Sequence, residues 1–489
     1  MQPLITHRAI SLPSPTKTDR RAQDQRIRDT LGIGDLDIPV ALLRTLPDIL
    51  KAKQALSCAI ANVGDGHRLV DVDAARSYSI ALDLGSTNLV ATLYDNIKEQ
   101  DVLTRSIENP QVTFGSDILT RMHHTLSGNG EDVYRVLTNG INDLIALLCA
   151  ETRINTEDLH GMAVAGNTAM THYFLGLDIS TIPVAPWVPV VRTPGFLKAS
   201  DLGLSMSPEA SVFVFPNAGS YVGGDITAGI IATGLSRSDG TAILVDVGTN
   251  VEVVIGNREW IIVAAGAAGP ALEEGISRIG KRARKGIVYD VEVGARDVTC
   301  RTFDDAPPEG ICGSGMISLV QGLFRAGIID QTGTFTNDSR VTTTETEKAF
   351  VINCDGQAGL AITQTEIRNF MRSKAAMFTL LLTLTRSVGL SFRDISSIFV
   401  SGALGSGIDV RKAVDIGMMP AWPNGTVTAR GNTSLSGCRM LLTDASLAKT
   451  ANELVSSITY KHMHDDPEFM KEFLGAVFIP HTDPGLLRA

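Results

Sequence analysis

From residue 77 onward, short apolar strands alternate with amphipathic helices, and this predicts an α/β protein with buried sheets. Two repeats sharpen the expectation. The strand–turn–strand unit ALDLGSTNLVATLYD (81–95) is echoed by LVDVGTNVEVVIGN (244–257). The strand–turn–helix unit VAGNTAMTHYFLG (164–176) is loosely echoed by VSGALGSGID (400–409). The same order twice predicts two similar halves facing each other across a cleft.

The elements follow in order. Residues 1–20, rich in Pro, Ser and Thr, read as an extended arm. Residues 21–76 read as a small α+β domain. RRAQDQRIRDTLG and DIPVALLRTLPDILKAKQAL carry helical signals, with Pro39 and Pro47 predicting short helices in the second stretch. CAIANVGDGHRLVDVD reads as a β element turning at GDG. Residues 77–489 form the large region, one lobe at about 77–235 and the other at about 240–489. SIALDL, LVATLYD, GMAVAG, SVFVFP, AILVDV, VEVVIGN, WIIVAA and SSIFVSG are its strands. Helices are expected at 130–151, 167–176, 222–235, 313–327, 364–389 and 444–457.

A chain of 489 residues predicts two to four domains, and its 44% hydrophobic and 20% charged content is that of a folded protein. A net charge of −10 argues against a general nucleic-acid binder. No apolar run is long enough for a signal peptide or membrane span, which predicts a cytoplasmic protein without a membrane partner. The six cysteines (Cys58, Cys149, Cys300, Cys312, Cys354, Cys438) contain no CxxC. They are expected as unpaired buried residues of a reducing compartment, with no iron–sulfur cluster on this chain. The histidine pair His123–His124 lacks further ligands at metal spacing.

The repeated turns carry the chemistry. Phosphates require backbone N–H donors, close approach and a metal to offset charge. Glycine allows the approach, hydroxyls add donors, and a carboxylate at a strand end can hold Mg²⁺ through water. Asp83, Gly85, Ser86, Thr87 and Asn88 supply this set once; Asp246, Gly248, Thr249 and Asn250 supply it again. A single turn of this kind reads equally as an ordinary hairpin.

Taken with SGALGSG (401–407), the order of these turns resembles the actin, hexokinase and Hsp70 ATPase superfamily. The resemblance implies an actin-like (ribonuclease H-like) two-lobed ATPase domain, here preceded by the small α+β linker domain. It implies that the two hairpins clamp the phosphates of ATP, with Mg²⁺ held by Asp83 and Asp246. It also implies that Ser401, Gly402, Ala403 and Gly405 receive the adenosine. Asp225, in SYVGGDITAGI, is the candidate to orient or deprotonate the attacking water, and reads equally as a helix cap.

A closer resemblance runs through nearly the whole chain. AVAGNTAMTHYFLGLD, APWVPV, PNAGSYVGGDITAGIIATGL, AAGPALEEGISR, EGICGSGMISLV, GIIDQTGTF, ITQTEIRNFMRSKAA and VSGALGSGIDVRKAVDIGMMP are similar, in order, to the reductive activators of corrinoid proteins. That family implies ATP-dependent restoration of Co(I) from Co(II) in the corrinoid (cobalamin) protein of a methyltransferase system. It places Glu273 beside the nucleotide, a residue that reads equally as a helix cap. Members usually carry a [2Fe–2S] ferredoxin domain ahead of this region; without it, the resemblance implies either a separate ferredoxin or flavoprotein donor or a chain that drives only the ATP-dependent conformational step. The basic segment GKRARKG (280–286) departs from the family and reads as a solvated loop or as a mark of an acidic partner or of the nucleotide. A homodimer is compatible with the sequence. Two alternatives stay open: an ATP-driven cobalamin-exchange chaperone without redox chemistry, and a small-molecule kinase of the same fold.

Overall fold

The same five-strand pattern is built twice. In the first sheet, Tyr78–Leu84 pairs antiparallel with Asn88–Asp95, which pairs antiparallel with Gln100–Glu108. On its other side Tyr78–Leu84 runs parallel to Leu159–Gly166, which runs parallel to Ser211–Val214. In the second sheet Thr241–Val247 pairs antiparallel with Val251–Gly256, and that with Ile261–Gly266; Thr241–Val247 also runs parallel to Ile395–Gly402, itself parallel to Thr426–Ala429. The central strands read as continuous apolar runs because both of their faces are covered. This is the actin-like α/β fold. The computed structural model describes residues 2–115, 117–248, 251–266, 276–281, 283–343, 346–354, 357–402, 407–461 and 467–488. It divides into two units: Met1–Ala232 with Thr433–Ser457, and Thr233–Asn432 with Ile458–Ala489.

Unit 1 opens with the small α+β domain. Its sheet orders Ile5–Ser11, Ala55–Val63, Gly66–Asp71 and Leu36–Asp37. The segment drawn as an extended arm therefore contains a strand: Ile5–Ser11 pairs antiparallel with Ala55–Val63, and Leu4 and Ile5 are buried. The Pro/Ser/Thr residues that suggested an arm are densest after the strand, in PSPTKT at 13–18. Helices Gln23–Leu31 and Val40–Ala52 cover the sheet, with Ile27, Leu31, Leu46, Ile60 and Leu69 in the core. Pro39 stands just before the second helix, but Pro47 lies inside it, so one helix spans the stretch expected as several. Its apolar stripe (Leu42, Leu46, Ile49, Leu50) outweighs the hydrogen bond that Pro47 removes.

Thr433–Ser457 returns to unit 1 from within the stretch assigned by sequence to the second lobe. It carries the helix Thr433–Thr443, which no periodicity announced, and the expected helix Leu447–Ser457.

Unit 2 holds the second five-strand sheet and an inserted one, ordered Gly310–Ile311, Ile287–Val293, Val298–Thr302, Lys348–Cys354, Val341–Thr343, with Gln357–Thr363 also on Lys348–Cys354. Two of the cysteines expected as free are joined here: Cys300 and Cys354 form a disulfide, because their strands are neighbours although 54 residues apart in sequence. Cys58, Cys149, Cys312 and Cys438 are free and buried.

The helix Gln364–Ser387 runs through the core of unit 2. A capping box starts it: Glu366 N–H donates to Thr363 Oγ1 at 3.3 Å, and Thr363 N–H to Glu366 Oε2 at 2.8 Å. Such a cap contributes about 1 kcal/mol. Midway along, Lys374 is fully buried and its Nζ donates to Phe478 O at 2.6 Å and Pro480 O at 2.9 Å. A neutral amine has two N–H donors, matching these two carbonyls. Burial pulls the amine down to about 7 from its ordinary 10.5. Between those values the unfolded chain binds the extra proton and the folded chain does not. Stability therefore rises with pH across the window. The expected contribution is up to about 1.4 kcal/mol per pH unit. Urea denaturation between pH 7 and 10 should show this slope in the wild type, and Lys374→Met should lack that component.

Candidate functional site

The first candidate turn joins Tyr78–Leu84 to Asn88–Asp95. Three successive carbonyls of this turn are tied from one side. Asn109 Nδ2 donates to Gly85 O at 2.9 Å, Arg121 Nη1 to Ser86 O, and the Asn109 backbone N–H to Thr87 O at 2.8 Å. In a trans peptide the carbonyl and the next N–H point opposite ways. The N–H groups of Ser86, Thr87 and Asn88 are thereby turned to the other side, as an anion site requires. Gly85 closes the turn tightly: a Cβ there would lie 2.4 Å from Asn88 O.

Arg121 was in no motif, yet it backs this turn. It is fully buried, its Nε donates to Gly115 O at 2.8 Å, and its Nη2 has no hydrogen-bond partner. Burial pulls the guanidinium below the ordinary arginine value, opposed by Tyr173 and Asp117. A buried cation is costly unless something anionic approaches it.

Asp83, at the end of the central strand, is half-buried and accepts from Ser434 Oγ at 2.8 Å. Asp225 stands in the first turn of the helix Gly224–Thr233, where its Oδ1 accepts from Ile226 N–H at 2.8 Å. It is therefore inside the helix start rather than at the cap. Cys438, on the returning helix Thr433–Thr443, links the two. Burial first, then the charges of Asp83 and Asp225, push its thiol well above the ordinary range. Both carboxylates thus lie in the neighbourhood of one buried thiol. Nearby, Asn167 caps the helix Thr168–Phe174 by accepting from Met170 N–H at 2.9 Å.

In unit 2, Asp246 ends the strand Thr241–Val247, and the parallel register sets it beside Ser401, with Val247 beside Gly402. Gly402 has φ +71°, and a Cβ there would lie 2.3 Å from Val247 O and 2.5 Å from an Asp246 carboxylate oxygen. No other residue permits this contact between the second acidic turn and the later glycine-rich turn. Ser401 Oγ is buried without a hydrogen-bond partner, a polar atom available to a ligand.

Past that turn opens a cleft of about 600 Å³ lined by Tyr289, Asp290, Phe303, Ser314, Ser318 and Gly407–Arg411. Its size is that of a small-molecule site. Tyr289 and Phe303 pack with centroids 4.9 Å apart. Asp290 accepts from Ser318 Oγ at 2.7 Å and from Lys412 Nζ at 2.5 Å. Lys412 and Ser318 together hold its carboxyl below the usual range against the effect of burial. The sequence pointed at the glycine-rich side of this cleft; the wall from Tyr289 to Ser318 carried no motif beyond GICGSG.

Thr249, Asn250, Glu273, Ala403 and Gly405 lie outside the described residues, as does Arg282 of the basic segment. Gly248 is half-buried at the end of its strand, while Lys281, Arg284 and Lys285 are exposed, Arg284 pairing with Glu309 at 3.6 Å. Unit 1 thus brings its acidic strand end together with a hydrogen-bonded backbone turn, and unit 2 sets its acidic strand end against Gly402. Asp83 and Asp246 suit water-mediated Mg²⁺ by chemistry, being carboxylates at strand ends beside glycine.

Gly402→Ala should destabilise the protein by about 2–4 kcal/mol, from strain plus steric overlap. Gly431, with φ +60° and open space around its Cα, is the control. Gly431→Ala should cost about 1 kcal/mol. Urea denaturation of both variants measures the difference.

Comparison with known proteins places this geometry. Residues 240–488 match the family described as the C-terminal domain of RACo, the ASKHA domain, and residues 78–238 match the RACo middle region. The corrinoid activation enzyme RamQ of Eubacterium limosum is 28% identical over 432 residues, covering 84% of this chain and 72% of that one. The [Co(II) methylated amine-specific corrinoid protein] reductase of Methanosarcina barkeri is 24% identical over 420 residues, covering 79% and 74%. A solved reductive activator for a corrinoid, iron–sulfur protein superposes with a TM-score of 0.92 at 31% identity, over 99% of this chain and 80% of that one. The chain belongs to the RACo family of reductive activators of corrinoid proteins.

Proposed function

We propose that this chain uses ATP to return a corrinoid protein from Co(II) to Co(I), with electrons from a separate ferredoxin or flavoprotein. The observation that carries the reading is the repeated carboxylate. Asp83 and Asp246 end the equivalent strand of two sheets with one strand order, each beside a glycine turn. The names of the relatives, a corrinoid activation enzyme and a corrinoid protein reductase, supply the substrate class.

In this reading the turn from Gly85 to Asn88 takes phosphate oxygens, with the Arg121 charge behind it. Asp83 and Asp246 hold Mg²⁺ through water, and the ion offsets the triphosphate's charge when bound. Gly248, Thr249 and Asn250 form the second phosphate turn, with Glu273 nearby. Ser401, Gly402, Ala403 and Gly405 lead into the cleft that takes the adenosine. Asp225 accepts the proton of the attacking water or orients it.

ATP has a thermodynamic task here. Co(I) prefers four ligands, so a Co(II) corrinoid that keeps an axial ligand resists reduction. Gripping the corrinoid protein so that this ligand leaves raises the potential by about 59 mV per tenfold shift in equilibrium. Nucleotide turnover then releases the grip. No helix among the described residues is long and apolar enough to cross a membrane. We place the reaction in the cytoplasm.

The test follows the Co(I) absorbance of a corrinoid iron–sulfur protein poised as Co(II), with titanium(III) citrate as reductant. Co(I) should accumulate with ATP and this chain together and not with either alone. An ATP-independent or unchanged spectrum across several corrinoid proteins would sink the reading. Asp83→Ala and Asp246→Ala should each lower ATP turnover by about 100-fold or more. Arg121→Met should weaken ATP binding by about 10-fold or more while adenosine binding holds, and Arg121→Lys should restore part of the loss; calorimetric titration with both ligands separates these effects.

A further inference from the structure

The inserted sheet of unit 2 is two hairpins joined at a narrow seam. Ile287–Val293 zips to Val298–Thr302, and Lys348–Cys354 zips to Gln357–Thr363. Between them, among the described residues, Val298–Thr302 and Lys348–Cys354 pair at Val298 with Cys354. Two other links cross the seam: the Cys300–Cys354 disulfide, with Cα atoms 5.3 Å apart, and Arg340 Nη1 donating to Gly294 O at 2.8 Å. The first hairpin carries Tyr289 and Asp290 and runs directly into Phe303, all walls of the cleft. Whatever fixes the seam therefore steadies that wall.

We propose that Cys300 and Cys354 are a reversible thiol–disulfide switch, stiffening the cleft wall when the surroundings turn oxidising and releasing it when they are reducing. The exchange balances. The Cys300 thiolate, half-buried and the more accessible of the pair, attacks a small disulfide such as oxidised glutathione and releases one thiol. Cys354 then attacks the mixed disulfide and releases the second. Two protein thiols have lost two electrons and two protons, and one small disulfide has become two thiols.

Competing chemistry is suppressed elsewhere. Cys58, Cys149, Cys312 and Cys438 are buried. Burial pushes the thiols of Cys58, to about 12, and of Cys149 and Cys438 upward, which leaves them poor attackers. Closing a loop of this length also constrains the unfolded chain.

The test uses the full chain after equilibration with oxidised glutathione or with dithiothreitol. Thiols titrated in denaturant should number four after the oxidant, and all six of the sequence after the reductant. Cys300→Ser/Cys354→Ser should give four in both states. Hydrogen exchange in 287–303 should quicken about 10-fold or more on reduction. In the double variant it should be fast in both states. Six thiols after the oxidant, or exchange indifferent to redox state, would overturn the proposal. Fluorescent ADP should bind about 3–10-fold more weakly to the reduced protein, by loss of preorganisation. That last readout rests on the nucleotide reading. No ADP binding in either state, with thiol count and exchange responding, defeats that reading and leaves the switch standing.

Discussion

A carboxylate at the tip of a buried central strand must be fixed without being neutralised. Burial alone would favour its protonated form, and an ion pair would use up its charge. Each unit supplies an uncharged contact at this point. Asp83 receives a hydroxyl, Ser434, from a helix that arrives from far along the chain. Asp246 lies against Gly402, where the missing side chain leaves the carboxylate room. The turn after Asp83 extends the logic to the backbone, since tying three carbonyls on one side settles the direction of three N–H groups. The sheets, the helices and the returning segment all serve to hold these two strand ends in place.

Most of the paired-sheet architecture was legible because strand periodicity and turn chemistry are local. ALDLGSTN and LVDVGTN name their own turns, and the repeat of their order revealed that one pattern is built twice. What escaped depends on distance or on small residues. The helix Thr433–Thr443 is written TSLSGCRMLLT, where serine, glycine and cysteine leave no clear apolar stripe. Yet it supplies Ser434 and Cys438, whose small side chains permit close approach to the strand of Asp83. The strand Ile5–Ser11 hid because His7 and Arg8 interrupt it and its partner lies some fifty residues on. Arg121 carried no signal at all: a lone arginine after TFGSDILT reads as surface until the fold buries it. The cysteine pair was missed for the same reason, since adjacency of strands is not adjacency in sequence.

The inserted sheet differs in kind from the sheets it accompanies. The repeated sheets have central strands bonded on both edges, while at the middle of the insertion the described residues show one rung, a disulfide and a side-chain link. Its strands, IVYDVEV, VTCRT and KAFVINC, mix exposed and buried positions. Such a sheet opens locally at lower cost than its neighbours. A cleft with one wall on this sheet and another on Gly407–Arg411 therefore has one side that can yield.

The return of Thr433–Ser457 to unit 1 has a consequence for synthesis on the ribosome. The first two hundred or so residues emerge as an incomplete body whose strand end at Asp83 lacks its hydroxyl partner and whose Leu82 carbonyl lacks Cys438. Unit 1 can close only after nearly all of unit 2 has been made. The half that begins first finishes last, and a nascent chain must keep that open edge from other partners until its own late helix arrives.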